Sequence, residues 1–145
     1  MAFAFRLAAV LAVRRRREES EERSLAQLSS ELEAARQAVH RIDIELRRLA
    51  DERNAEPPRS MPATDLHERY ARFSLFEQGR SEMLTRIADL SGRLKAQQQL
   101  YLVARRDREL LESLETAQRS TYLATLARQE TKRNEDAFLA RYLRD

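Results

Sequence analysis

The chain has 145 residues, 27 basic and 24 acidic side chains for a formal net charge of +3, and 42% apolar residues. Two glycines and three prolines are too few to turn a sheet protein, and the apolar residues are too many and too regularly placed for disorder. The charges are interspersed and cysteine is absent, which argues against a nucleic-acid partner and excludes disulfides, thiolate metal sites and a cysteine nucleophile.

The amino terminus, Met1 to Val13, is apolar and leads into Arg14-Arg15-Arg16-Arg17. A secretory signal carries its basic residues before the apolar run, and here they follow it. Arg6 leaves only Leu7 to Val13 uninterrupted, too short to span a bilayer. The expected location is cytoplasmic.

A first helix is predicted from about residue 3 to 54. Leu25, Leu28, Leu32, Ala35, Val39, Ile42, Leu46 and Leu49 alternate three and four residues apart, the seam of a coiled coil. Followed backwards, the same register meets Glu21, Glu18 and Arg14, then Leu11 and Leu7. The seam is therefore charged between Arg14 and Glu21. Pro57, Pro58 and Pro62 fall together and predict one loop, about residues 55–64. Asp65 with Glu68 three residues later reads as the amino-terminal cap of the next helix.

That second helix is predicted over about residues 65–142. Met83, Ile87, Leu90, Leu94, Gln97, Tyr101, Ala104, Arg108 and Leu111 keep the alternation. Leu66, Tyr70, Phe73 and Phe76 extend an apolar face toward the loop. Leu110, Leu114, Ala117, Tyr122 and Leu126 carry it onward with a drift in register. Asp43–Arg47, Asp65–Arg69, Glu68–Arg72, Glu82–Arg86 and Asp89–Arg93 are acid-to-base pairs one turn apart that suit solvated outer faces.

The fold class is all-α: two long helices in an antiparallel coiled-coil hairpin, a single domain over 1–145, with the second helix longer and overhanging. A turn centred near residues 59–60 sets Leu49 against Tyr70, Leu46 against Phe73, Leu32 against Ile87 and Leu25 against Leu94. The charged zone Arg14 to Arg23 then faces Gln97 to Gln99 and Arg105 to Arg108. From about residue 118, the second helix has no partner, leaving Tyr122, Leu126, Phe138, Leu139 and Tyr142 stranded as a docking surface. A two-helix hairpin is expected to lack a concave pocket, and no phosphate loop, HExxH or nucleophile elbow occurs. His40 and His67 lack ligand spacing. No enzyme activity, cofactor, metal or small-molecule substrate is expected.

Phe3-Ala4-Phe5-Arg6-Leu7, Val10-Leu11, Arg14 and Glu18-Glu19 together resemble the amino-terminal pattern of the flagellar export protein FliJ family. Ala104 to Glu109, Glu112, Leu114, Tyr122, Gln129-Glu130-Thr131-Lys132 and Glu135-Asp136 are similar to its carboxyl-terminal helix, with Glu135-Asp136 where the family commonly has Asp-Glu. The resemblance implies a non-enzymatic stalk of the flagellar type III export apparatus, related to injectisome proteins and serving motility. It implies binding to the export ATPase ring, contact with the cytoplasmic domain of the membrane export gate, and escort of export chaperones. It also implies peripheral association with the inner-membrane apparatus and a monomer when free. Under it, Arg14, Arg15, Arg16, Arg17, Arg105, Arg106, Arg128, Lys132, Arg133 and Arg141 are candidates for the ATPase contact. Tyr70, Phe73 and Phe76 are candidates for the gate contact. An injectisome stalk and a generic coiled-coil scaffold are the alternatives.

Overall fold

A computed structural model describes residues 2–56 and 58–144. Helix α1 runs from Ala8 to Ala55 and helix α2 from Ala63 to Tyr142, with a 3-10 turn at Pro58–Ser60 between them. No strand occurs among the described residues. The second helix is the longer, 80 residues against 48. Both are possible because neither contains proline and only α2 contains glycine, at Gly79 and Gly92.

Two helix starts differ from the sequence reading. Helix α1 opens at Ala8, not near residue 3, and residues 2–5 are extended or irregular. Phe5 is buried, and its carbonyl accepts the Ala8 amide at 3.2 Å. A continued helix would carry this side chain round its own axis. Helix α2 opens at Ala63, so Asp65 lies in its first turn instead of capping it. The Pro62 carbonyl accepts the Leu66 amide at 3.2 Å and so makes the first helical bond. Asp65 still sits where the positive end of the helix favours a carboxylate. Pro57, part of the predicted loop, lies outside the described residues.

The chain divides into two compact units. One spans Glu21–Tyr101 and contains the loop. Its core is Leu32, Ala35 and Leu90, with Leu28, Ile87 and Leu94 packed against it. The predicted seam of α1 from Leu25 to Leu49 is buried or half-buried at every position, as are Met83, Ile87, Leu90, Leu94, Gln97 and Tyr101 on α2. The helices are antiparallel here. Arg69 pairs with Glu56 at 2.9 Å and Arg80 with Asp43 at 2.7 Å. Gln97 donates to the Glu21 carbonyl at 3.0 Å.

The pairing is displaced from the loop-centred expectation by up to about one turn. Asp43 meets Arg80, where the symmetrical turn would offer Phe76. Ile42 lies 3.8 Å from the position a Gly79 Cβ would take. The reason is packing. The symmetrical turn would set Leu90 against exposed Ser29, whereas the observed register places it with Leu32 and Ala35. The apolar seam outweighs loop symmetry, since burying one leucine is worth about 1.5–3 kcal/mol. Asp43 and Arg69, expected to pair along their own helices, reach across instead.

The second unit comprises residues up to Ser20 and from Leu102 onward. Leu11 and Ala104 are its most buried side chains, with Phe5. The α2 seam continues through Arg108, Leu111, Glu115, Tyr122 and Leu126, all half-buried, while Leu110 and Leu114 are exposed. The predicted drift through Leu110 and Leu114 is therefore corrected. Tyr122 and Leu126 are covered rather than stranded, and full exposure on every face begins at residue 127.

Two predictions follow from packing. Leu90→Ala should cost about 2–5 kcal/mol in urea unfolding, whereas Leu110→Ala should stay within about 0.5 kcal/mol. A Cβ at Gly92 meets nothing within 4 Å, so Gly92→Ala should stabilise by about 1 kcal/mol in the same assay.

Candidate functional site

Arg14, Glu18 and Arg108 stand where a seam would hold leucines. Each has an opposite charge across the helix interface. Arg14 donates to Asp107 at 3.1 Å. Arg15 donates to Glu112 through Nε at 3.3 Å and Nη2 at 3.1 Å. Arg108 forks onto Glu18, with Nε bonded to Oε2 and Nη2 at 3.2 Å from Oε1. Its remaining Nη1 donates to Glu112 at 2.7 Å. Glu112 therefore joins two arginines from different helices. Glu18 is the most enclosed carboxylate of the layer, its side chain 14% exposed.

This geometry sets the protonation. The hydrogen bond to Glu18 holds the Arg108 guanidinium above its already high range, against partial desolvation, and Glu112 adds to the effect. The hydrogen bond from Arg15 draws Glu112 below the usual carboxylate range, with Arg108 assisting against desolvation.

Beyond the ionic layer, the amino-terminal segment folds onto α2. The Phe3 ring lies 5.6 Å from that of Tyr122, and the Arg119 guanidinium sits 5.5 Å over the Phe3 ring. This hook was not legible in the chain. Its signal was the pair of aromatics ahead of the heptads, but nothing local says which residue they meet.

The candidate basic residues divide into engaged and open sets. Arg14 and Arg15 are engaged with Asp107 and Glu112, and Arg105 donates to Glu109 at 2.8 Å. Arg16, Arg17 and Arg106 are exposed. Arg128, Lys132, Arg133 and Arg141 lie in the stretch 127–144, where every residue is exposed. Phe138, Leu139, Tyr142 and Leu143 share that stretch, and the Phe138 and Tyr142 rings stack at 6.5 Å.

The aromatic candidates also separate. Tyr70 is 74% exposed and Phe73 39%, whereas Phe76 is half-buried toward the seam. Tyr70 and Phe73 line a cleft of about 330 Å³ with Leu49, Ala50, Leu66 and Pro58. Arg53 and Arg69 complete its wall. The expectation of no concave pocket is thus corrected. Where the chain turns back, buried Leu49 forms part of the cleft, and Pro58 of the loop supplies a third wall. The lining contains no carboxylate, histidine, serine or threonine. Among the described residues, no group of three or more His, Asp or Glu could hold a metal ion.

A family model described as Flagellar FliJ protein matches residues 3–145. The chain belongs to the FliJ family. No curated protein and no solved structure matches it. Membership makes it a component of the flagellar protein export apparatus, in a family of structural parts rather than known enzymes. Among the described residues, no helix is long and apolar enough to cross a membrane.

The lowered Glu112 value fixes a sign for pH dependence. The folded state binds this proton less readily than the unfolded state, so the contribution is complete above the unfolded-state value. It is lost as pH falls through the lower, folded-state value. Thermal melts followed by circular dichroism should show stability falling from about pH 6 to about pH 3. Glu112→Gln should melt lower at the upper pH and show a shallower dependence. Parallel curves for the two proteins would remove Glu112 from the ionic layer's pH response.

Proposed function

We propose that this FliJ-family chain is a non-enzymatic, stalk-like part of the flagellar export apparatus. It binds the export ATPase ring and promotes its assembly, contacts the cytoplasmic domain of the export gate, and escorts export chaperones. It works peripherally at the inner membrane from the cytoplasmic side. The family's flagellar description favours this reading over an injectisome stalk.

The observation that carries the ATPase contact is the stretch 127–144. Its described residues are all exposed, and Phe138, Leu139 and Tyr142 keep more than half of their surface in solvent even though the Phe138 and Tyr142 rings stack on each other. Arg128, Lys132, Arg133 and Arg141 are interleaved with them. Apolar side chains provide affinity once buried, and surrounding cations steer encounter with an acidic surface. Arg16, Arg17 and Arg106 are further exposed cations that this reading assigns to the contact, while Arg14, Arg15 and Arg105 serve the protein's own carboxylates first. For the gate contact, Tyr70 and Phe73 offer a largely apolar cleft, with half-buried Phe76 as the further candidate.

The test is ATP hydrolysis and ring assembly by the cognate purified ATPase, with and without this protein. Stimulation is expected. Joint replacement of Arg128, Lys132, Arg133 and Arg141 by Ala should weaken ring binding by about tenfold or more at low salt, with helicity unchanged. Arg14→Ala and Arg15→Ala should instead lower the melting temperature. No binding and no stimulation would overturn the stalk reading and leave a coiled-coil adaptor. Separately, Tyr70→Ala with Phe73→Ala should reduce capture of the gate's cytoplasmic domain by about tenfold without changing the melt.

A further inference from the structure

We infer that residues 2–20 form a detachable strap on α2, held by an ionic layer that salt weakens and by an aromatic hook that salt does not. The inference stands on the unit formed by residues up to Ser20 and from Leu102 onward, and requires no partner.

The contrast between the two units supports it. Between Leu25 and Leu49, α1 presents eight apolar seam positions in succession, each buried or half-buried. Between Ala8 and Ser20, only Leu11 is buried on α1. Its next two seam positions are Arg14 and Glu18. Attachment there depends on Arg14–Asp107, Arg15–Glu112 and Glu18–Arg108. The Arg14, Arg15, Asp107 and Glu112 side chains are between 32% and 53% exposed, so solvent ions reach them. Screening shortens the range of such pairs from about 10 Å at 0.1 M salt to about 3 Å at 1 M. Ahead of the layer, Phe3 rests on Tyr122 beneath Arg119, and Phe5 is buried. These contacts are apolar or close-range and persist when the ionic layer weakens.

The strap lies along α2 between Ala104 and Tyr122, where Ala104 is buried and Arg108, Leu111 and Tyr122 are half-buried. Its release bares that stretch without requiring the Leu32–Ala35–Leu90 core to open. Segments held by few apolar contacts open locally at less cost than the global transition. The ionic layer also makes re-closure register-specific. Only one alignment gives Glu18 its fork and Glu112 both arginines.

Amide hydrogen exchange on the full chain tests this at about 0.05 M and about 0.5 M NaCl. Amides of residues 8–20 are expected to exchange at least about threefold faster at the higher salt, while residues 28–46 hold their rates. Glu18→Gln should reproduce the acceleration at low salt. Phe3→Ala with Phe5→Ala should accelerate residues 8–20 at both salts and preserve the salt response. Unchanged rates in residues 8–20 with salt would overturn the ionic layer as the fastening. Equal acceleration of residues 28–46 would overturn the strap, because the hairpin would then open as a whole. An aromatic double variant with wild-type rates would overturn the hook.

Discussion

Two paired helices can bury only one stripe each, so each interruption of that stripe must be answered from the opposite helix. The interruption at Arg14 and Glu18 is the main instance. Glu18 is mostly enclosed, and a carboxylate there without a partner would be costly. Arg108 meets it with two nitrogens and gives its third to Glu112, which Arg15 also binds. Ionic groups in a seam add little net stability compared with leucines, but they penalise every other alignment. The apolar seam provides adhesion, and the ionic layer makes one register better than its neighbours.

The same constraint explains where the protein remains open. From residue 127 to 144 every described residue is exposed, so the apolar and basic side chains there stay in solvent. At the loop, Leu49, Pro58, Leu66 and Phe73 line a cleft near the end of α1 at Ala55. Both surfaces combine apolar groups with arginine, a pairing suited to protein partners. The two surfaces belong to different units.

Neighbouring cations in one run of sequence have different surroundings. Arg14 and Arg15 pair with Asp107 and Glu112 on α2, although Arg15 is exposed like Arg16 and Arg17. Successive helical residues are about 100° apart, so four identical neighbours cannot share one task. A partner reading this run meets only part of its charge while α1 is docked.

The sequence by itself determined the class of fold and the path of the seam. Heptad spacing from Leu25 to Leu49 and from Met83 to Leu111 is local information, and three prolines within six residues permit only one break. It also disclosed that the charged zone from Arg14 to Arg23 would face polar residues of the second helix. Tertiary structure alone decided which partner each charge takes. Asp43 could have bonded Arg47 on its own helix but bonds Arg80, because the register follows Leu90 into the space beside Leu32 and Ala35. It decided that Phe3 leaves the helix to meet Tyr122, a contact joining residues more than a hundred positions apart. It decided, too, that Tyr70 and Phe73 border a cleft while Phe76 turns inward. Periodicity says which side of a helix is buried. How far one helix slides along the other depends on side-chain shapes across the interface, and those shapes meet only in the folded chain.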